Sequence, residues 1–442
     1  MIKLKTLTVM VLCAFGFIKL SAQSYIGNTA DNYSGIQSLT ANPSNVVDSK
    51  YKADINLFSA SVFGGSDYLG LSVGDIINSD EGFDFETDAE KFPSNANNFF
   101  MNVDILGPSF MFNLSPKSSI GVVSRVRAFL NINNISGELY EGVADEFDID
   151  YDFDFDSKNL TGNIHAWAEA GIVYGRILVD TDKNFLKGGV TLKYLQGAGA
   201  LFINSPGFEG QYTASTKELA TQGSLSYGTT EGFDNDDINF DNLSSGFGAD
   251  IGFTYEYRPN KVKDSLFSRK QNKYKLKIGA AITDIGSISY DNSTVTTYDL
   301  NETVNASDFD DDTEQFLEDN YESTEEKITQ ELKLPTALRL LVDYQIKNKI
   351  YISLQSNLSL IKNNTPNANT VINTVTLSPR LETKWFSIYS PISLRQYGEF
   401  AWGGGFRFGP LMVGSGSVLS NLLSDSTKTT DVYVGLKIPI YQ

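Results

Sequence analysis

The chain of 442 residues carries 54 acidic and 35 basic side chains, for a net charge of −19, with one histidine and one cysteine. No basic stripe rises above that acidic background, which disfavours nucleic-acid binding. The single Cys13 lies inside an N-terminal apolar run and leaves the mature chain without a disulfide, a thiolate nucleophile or a cysteine-ligated metal.

Residues 1–22 read as a secretory signal peptide. Lys3 and Lys5 precede an apolar run from Leu7 to Leu20, and Ser21 and Ala22 form a small-residue cleavage site before Gln23. No later segment approaches the roughly 18 consecutive apolar residues of a membrane helix. An exported chain can still cross a membrane as a closed β-barrel, in which every backbone donor and acceptor finds a partner. Residues 23–51 are polar and rich in Asn and Ser, with a helical turn predicted at Pro43–Val47, where Pro suits a first helical position.

Strands follow from Tyr51 onward. The spacing predicts them at 53–71, bent at Gly64 and Gly65, then at 99–114 and 119–133. The segment from Thr161 to Ile203 is a hairpin around the polar turn Asp180–Asn184. Its first arm sets Ile164, Ala166, Ala168, Ala170, Ile172 and Tyr174 against Asn163, His165, Glu169 and Gly171, with Trp167 the one large apolar residue on the second face. Its second arm sets Val190, Leu192 and Tyr194 against Lys187, Thr191 and Lys193. Each arm has about 18 residues, where a globular strand has about 5 or 6 and a tilted membrane strand roughly 9 to 11. Further strands are predicted at 246–258, 274–290, 329–346, 350–360, 371–384, 389–395, 399–407, 411–415 and 431–440.

The total is 14 strands, an even number that puts both termini on one side of the membrane. The negative charge collects in four segments, 74–97, 134–160, 204–243 and 291–328, which together carry −32 and leave an excess of positive charge elsewhere. All four fall on the outer side, and the basic connection Lys261–Lys273 falls on the periplasmic side. A soluble β-sandwich is the competing architecture, but it would need a second sheet over each apolar face. The expected fold is therefore all-β: a transmembrane antiparallel barrel of about 14 strands, with a signal peptide at 1–22, a plug-like segment at 23–51 and the barrel at 52–442. Its expected place is the cell outer membrane, in contact with outer-membrane lipid.

Three stretches carry a family resemblance. Ala41–Ser49 (ANPSNVVDS), with Asn42 and Pro43, is similar to the plug turn of the long-chain fatty acid transporter (FadL-like) family of outer-membrane barrels. Ala280–Tyr290 (AAITDIGSISY) and Leu334–Tyr344 (LPTALRLLVDY) resemble strands of Bacteroidota relatives of that family, including barrels of unknown function and barrels that accompany secretion and gliding machinery. The ending from Gly398 (GEFAWGGGFRFGPLMVGSG) is of the same kind. The resemblance implies a 14-stranded barrel whose N-terminal segment lies in the lumen, and none of its motifs is catalytic. The chain departs from the transporter pattern on the inward face, where Arg125, Arg127, His165, Glu169, Lys187, Lys193, Lys333, Arg339, Arg380 and Glu382 are expected to line the lumen.

The candidate chemistry is sparse. His165 is a lone histidine on a lumen face beside Trp167 and Glu169, and no serine is spaced on the same strand to serve as its nucleophile, so no enzyme is expected. Asp148, Asp150, Asp152, Asp154 and Asp156 alternate with Ile149, Tyr151, Phe153 and Phe155, so an extended strand arrays five carboxylates on one face. A solvated loop and a calcium site both fit that array; hard oxygen ligands suit calcium, but the glycine turn and terminal Glu of an EF-hand are missing. The luminal cations have two readings as well: an anion-selective channel, or a closed interior in which they pair with Asp250, Glu256, Glu331, Asp343 and Glu382. Two functions stand side by side. One is transport or binding of a small hydrophobic or amphipathic solute; the other is a non-transporting barrel that serves as membrane anchor and protein partner in envelope assembly or secretion.

Overall fold

The computed structural model describes residues 25–72, 89–231, 233, 244–259, 272–309, 312–397, 399–424 and 426–441. The segment expected to be a signal peptide, most of the first acidic segment, Asp310 and Asp311, and the basic residues from Lys261 to Lys270 lie outside the described residues. The protein is a closed antiparallel barrel of 14 strands. They are β1 (Tyr51–Ser66), β2 (Asn97–Leu106 and Ser109–Ser115), β3 (Ser118–Ile135), β4 (Leu160–Asp180), β5 (Asn184–Ser205), β6 (Ser244–Tyr257) and β7 (Leu276–Asp299). The circle continues with β8 (Glu322–Lys333 and Ala337–Lys347), β9 (Ile350–Ser359), β10 (Thr374–Glu382), β11 (Phe386–Tyr389 and Ile392–Arg395), β12 (Glu399–Trp402 and Gly404–Phe408), β13 (Leu411–Ser415) and β14 (Thr429–Tyr441). Pairing of β14 with β1, from Tyr51 opposite Tyr441 to Gly65 opposite Thr429, closes the circle. Closure removes the unpaired edges that hydrocarbon does not tolerate.

Period-two alternation decides which side chains meet lipid. Ile172, Leu192 and Phe247 are 60, 68 and 75% exposed, while the inward Trp167 and Leu195 are at 1 and 0%. The interior holds most of the buried charge, so the molecule is polar inside and apolar outside across its membrane band. No helix among the described residues is long and apolar enough to cross a membrane.

Prolines set two local departures from regular strand. Pro108 has no N–H to give the ladder, so β2 breaks there, and Asn56 Nδ2 donates to the carbonyls of Leu106 and Gly107, each at 2.9 Å. Pro335 divides β8, and the inward parity changes across it. Leu332 and Leu334 are buried inside, whereas Arg339 and Asp343 take the inward positions after the break. Lys333 is consequently exposed on the outer side, which corrects its expected lumen position; Glu331 is exposed too and accepts from Ser287 Oγ at 2.5 Å. β1 keeps its ladder pairing through Gly64 and Gly65 and ends at Ser66, short of the expected end at 71, and its register shifts fall at Tyr51/Ala53 and Asn56/Phe58.

Above the barrel the acidic segments fold into an ordered cap. Strands Phe153–Asp156, Phe208–Thr213, Glu218–Thr229 and Thr303–Asn305 pair in sequence, and the end of Glu218–Thr229 inserts between the tops of β5 and β7, over β6. Helices Gly137–Ala144 and Thr313–Asn320 flank this sheet. Phe147, Phe153, Phe155, Tyr212, Phe309 and Phe316 form its core. Each buried ring contributes about 1.5–3 kcal/mol relative to exposure, which makes the cap a folded unit rather than a set of solvated loops.

Candidate functional site

The site is the lumen, occupied by residues 25–50. The plug runs as three short 3-10 turns, Asn28–Ala30, Gly35–Thr40 and Pro43–Val46. Asn42 caps the last turn, its Oδ1 accepting from Ser44 N at 2.9 Å, with Pro43 at the first position. This turn lies on a floor of strand glycines. A Cβ on Gly189 would fall 2.5 Å from Pro43, one on Gly252 2.3 Å from Asn42 Oδ1, and one on Gly175 2.4 Å from Val46. Only residues without a Cβ allow that approach.

Polar bonds tie the plug to strands all round the barrel. Asn42 Nδ2 donates to Phe253 O (3.1 Å), Ser44 Oγ is 2.7 Å from Thr254 Oγ1, and Lys187 Nζ donates to Val47 O (2.8 Å). Across the lumen, Gln355 donates to Thr29 Oγ1 (2.8 Å) and Tyr433 OH to Ile26 O (2.7 Å). Lys437 Nζ donates to the carbonyls of Tyr33 (2.8 Å) and Ser34 (2.7 Å), and Asn32 N to Glu382 Oε2 (3.1 Å). Arg407 Nε stands 3.0 Å from Asp31. Burial raises the Asp31 carboxyl, but Arg407 and then Arg380 outweigh it and hold the group down at about 2.

Buried charge inside the wall is paired. Arg125 contacts Asp104 at 2.5 Å and Glu169 at 3.0 Å; Lys193 contacts Asp250 at 2.8 Å and Asp284 at 2.7 Å; Arg127 reaches Asp284 at 2.8 Å and lies over the rings of Phe129 and Trp167. Arg380 joins Asp343 (3.0 Å) to Glu382 (2.9 Å), and Tyr274 OH donates to Asp343. Asp54 with Lys437, Asp431 with Arg395, and Asp48 and Glu256 with Arg258 complete the set. A buried charge stripped of its partner is costly, and each of these carboxylates has a cation, from another element or, for Glu382 and Glu256, two residues along the same segment. Among the described residues, Lys187 and Arg339 are the inward cations of the expected set with no carboxylate within 4.0 Å; Arg339 Nε donates to Thr283 Oγ1 at 3.1 Å.

His165 is fully buried. Asn369 Nδ2 donates to its Nδ1 at 2.6 Å, and its Nε2 is 2.9 Å from Tyr290 OH. Asn369 belongs to the segment 361–373, which turns inward from the outer side between β9 and β10. There Asn131 bonds both ways with Thr370 (3.2 and 3.0 Å), and Val371 packs with Phe129, Trp167, Leu195, Ile288 and Leu334. The lumen is thus filled from the end of the short turns by the plug and from the cap end by this segment.

Cavities remain between the plug, the inward segment and the wall. One of about 70 Å3 lies between the plug at Thr29, Asn42 and Asn45 and the wall at Arg339, Gln355, Asn357, Thr374 and Thr376. One of about 20 Å3 is lined by Phe63, Phe100, Phe129, Val371 and Ile372, and it shares Arg339 and Asn357 with the first. A third, of about 60 Å3, lies between the plug at Asp48 and Ser49 and the wall at Lys187 and Glu256.

The five alternating aspartates are not brought together. Asp148 meets Lys217 (3.1 Å), Asp152 accepts from Ala214 N (2.8 Å) and Asp156 meets Lys158 (2.6 Å), while Phe153 and Phe155 enter the cap core. No three acids or histidines among the described residues could hold one metal ion.

Sequence reading passed over Asp54, Asp104, Asp431, Arg395, Arg407 and Lys437 as interior partners, although Asp431 and Lys437 alternate with the outward Val432, Val434 and Leu436. It also passed over the glycine floor, whose signal is the inward parity of Gly175 and Gly189 in the central hairpin.

A family model described as a family of unknown function (DUF5723) matches residues 43–416. Among curated proteins no sequence matches the chain. Solved structures with a similar course include the toluene transporter TodX of Pseudomonas putida, at 10% identity over 95% of this chain and 96% of that one, with a TM-score of 0.40. The toluene transporter TbuX of Ralstonia pickettii shares 8% identity over 92 and 95%, with a TM-score of 0.41. A Pseudomonas aeruginosa FadL homologue shares 9% over 95 and 98%, with a TM-score of 0.41.

Proposed function

We propose that this chain, which belongs to the family of unknown function DUF5723, is an outer-membrane barrel that binds and passes a small hydrophobic or amphipathic solute, with residues 25–50 as its gate. The observation that carries this reading is the pair of cavities on either side of Arg339 and Asn357, which line both. One is bounded by the plug and includes the amides of Asn42, Asn45 and Gln355 in its lining, the other is bounded by the inward segment 361–373 and includes the rings of Phe63, Phe100 and Phe129. A solute with a polar end and an apolar end has a surface for each, and release toward the periplasm requires the plug to shift. The chain acts without catalysis in this reading, since both nitrogens of His165 are engaged by Asn369 and Tyr290.

The test is a reversible lock. Ser44 and Thr254 face each other at 2.7 Å, and the only native cysteine is Cys13, so Ser44→Cys with Thr254→Cys can bond plug to wall. Vesicles carrying the oxidised double variant should lose uptake of a monoaromatic probe and regain it on reduction. Equal uptake in the two states sinks the gate. A second reading, a membrane anchor that docks a protein of the envelope, is favoured by the complete pairing of the interior carboxylates and by the folded cap. Native mass spectrometry in mild detergent separates the two: a stoichiometric protein partner supports the anchor, an enriched small molecule the transporter.

A further inference from the structure

We propose that the cap-side half of β8, Glu322–Lys333, is an open sheet edge that takes up an extended basic segment of a partner protein as an added strand. Along β8 the wall changes from two neighbours to one. Residues 337–347 run between β7 and β9, but β9 ends at Ser359, opposite Ala337. Residues 322–333 pair with β7 alone, from Asp299 opposite Glu322 to Ser287 opposite Lys333. In an antiparallel ladder every second residue turns its N–H and C=O away from a given neighbour, so the far edge presents a row of such groups. The root of that edge is already used in this way. Lys333 N donates to Asn367 O and Asn369 N to Lys333 O, each at 3.1 Å, a parallel bridge made by the inward segment 361–373. From Glu322 to Ile328 the edge has no backbone partner among the described residues.

The side chains state what fits there. All six residues from Glu322 to Lys327 are exposed, so both faces of the strand are accessible along with its edge. Lys327 is the single cation between Glu322 and Ile328, against Glu322, Glu325 and Glu326. Glu318 and Asp319 stand exposed at the end of the helix that leads into the strand. Opposite charges on facing residues stabilise a strand pair and like charges oppose it, so a segment with Lys or Arg at alternate positions is the complement. A second copy is not. Copies inserted the same way in one membrane run this strand in the same direction, and a symmetric parallel pair sets each glutamate beside its own twin. In an added strand the main-chain bonds supply the affinity and the side chains the selection. This surface rests on the second, protein-docking reading above and is independent of solute passage.

The full mature chain in detergent should bind a peptide of about ten residues alternating Lys and Thr, at one site by calorimetry, and should not bind the counterpart with Glu for Lys. At a hundred times the dissociation constant, hydrogen exchange read amide by amide should slow by roughly 100-fold at every second residue of 322–331 and stay unchanged at the residues between, which already bond to β7. Methylating one set of alternate backbone nitrogens of the peptide keeps its charge and should cut affinity roughly tenfold or more. Glu325→Lys with Glu326→Lys should transfer binding to the glutamate peptide; if that variant does not fold, Glu322→Gln with Glu326→Gln should weaken the lysine peptide. Equal affinity of both methylated peptides would reduce the contact to charge alone and overturn the added strand. So would protection without the alternation, no heat with the lysine peptide, or dimers of the chain that protect the same amides. A stoichiometric protein partner that leaves these amides unprotected would overturn this edge while leaving the docking reading in place.

Discussion

Gly189 and Pro43 meet so closely that a Cβ built on the glycine would lie 2.5 Å from both the carbonyl carbon and the carbonyl oxygen of the proline. The contact is backbone against backbone, and no rotamer can relieve it. Gly189→Val should therefore displace the 42–47 turn while leaving the barrel ladder in place. Heat-modifiable migration in gels should stay that of a folded barrel, while exchange in residues 35–50 rises to that of an open segment. An unchanged exchange profile would contradict the close seat.

Arg125 joins Asp104 and Glu169 with all three groups buried. Arg125→Met removes the nearest cation of both Asp104 and Glu169 and should cost about 3–5 kcal/mol in urea-driven unfolding from lipid vesicles. Adding Asp104→Leu and Glu169→Leu should recover most of that loss, because an apolar set of similar volume carries no desolvation cost. A triple variant as unstable as the single one would contradict the pairing account.

His165→Phe leaves Asn369 Nδ2 without this acceptor and removes the ring nitrogen facing Tyr290 OH. The expected cost is about 1–3 kcal/mol per unsatisfied group, concentrated in the segment 361–373. Protease nicking between Lys362 and Asn373 should quicken, and planar-bilayer recordings should show openings that the wild type lacks.

Asp31 reports the plug's response to acid. Its carboxyl is held at about 2, below the ordinary 3.8. A group with a depressed folded value contributes stability that is present above the unfolded value and is lost as the pH falls through the folded one. The stability difference between wild type and Asp31→Asn should be constant above about pH 5 and shrink between about pH 4 and pH 2. A difference that grows on acidification would reverse the sign assigned here.

In the cap, Phe153→Ala should cost about 3–5 kcal/mol of local stability. The barrel should hold, since its ladder and interior pairs are separate from the aromatic core above it. Limited proteolysis at residues 145–157 should appear while the barrel's unfolding midpoint stays fixed.

The barrel was legible because its signal is repetitive. In β4, Ile172 and Tyr174 point out and Glu169 and Trp167 point in for the same reason that alternation is visible in the sequence. Asn42 and Pro43 were legible as a local device, a cap followed by a residue suited to a first turn. Lys333 was misplaced because extending one parity through Pro335 assumes an unbroken strand. The cap was hidden for a different reason. Phe147, Phe153, Tyr212, Phe309 and Phe316 lie in three separate acidic segments, and nothing short of tertiary structure shows that they share one core. The aspartates at 148–156 display the same limit: their alternation is real, but its cause is the buried phenylalanine face rather than the exposed carboxylate one.

Lys437, five residues before the last of the chain, holds the carbonyls of Tyr33 and Ser34 near its beginning. The same N-terminal segment rests on β4, β5 and β6 through Gly175, Gly189 and Gly252. The plug is thus held both by the central hairpin and by β14, one of the two strands whose pairing closes the barrel. A barrel closed with this segment outside would leave Lys437, Arg407 and Glu382 without these partners in its interior.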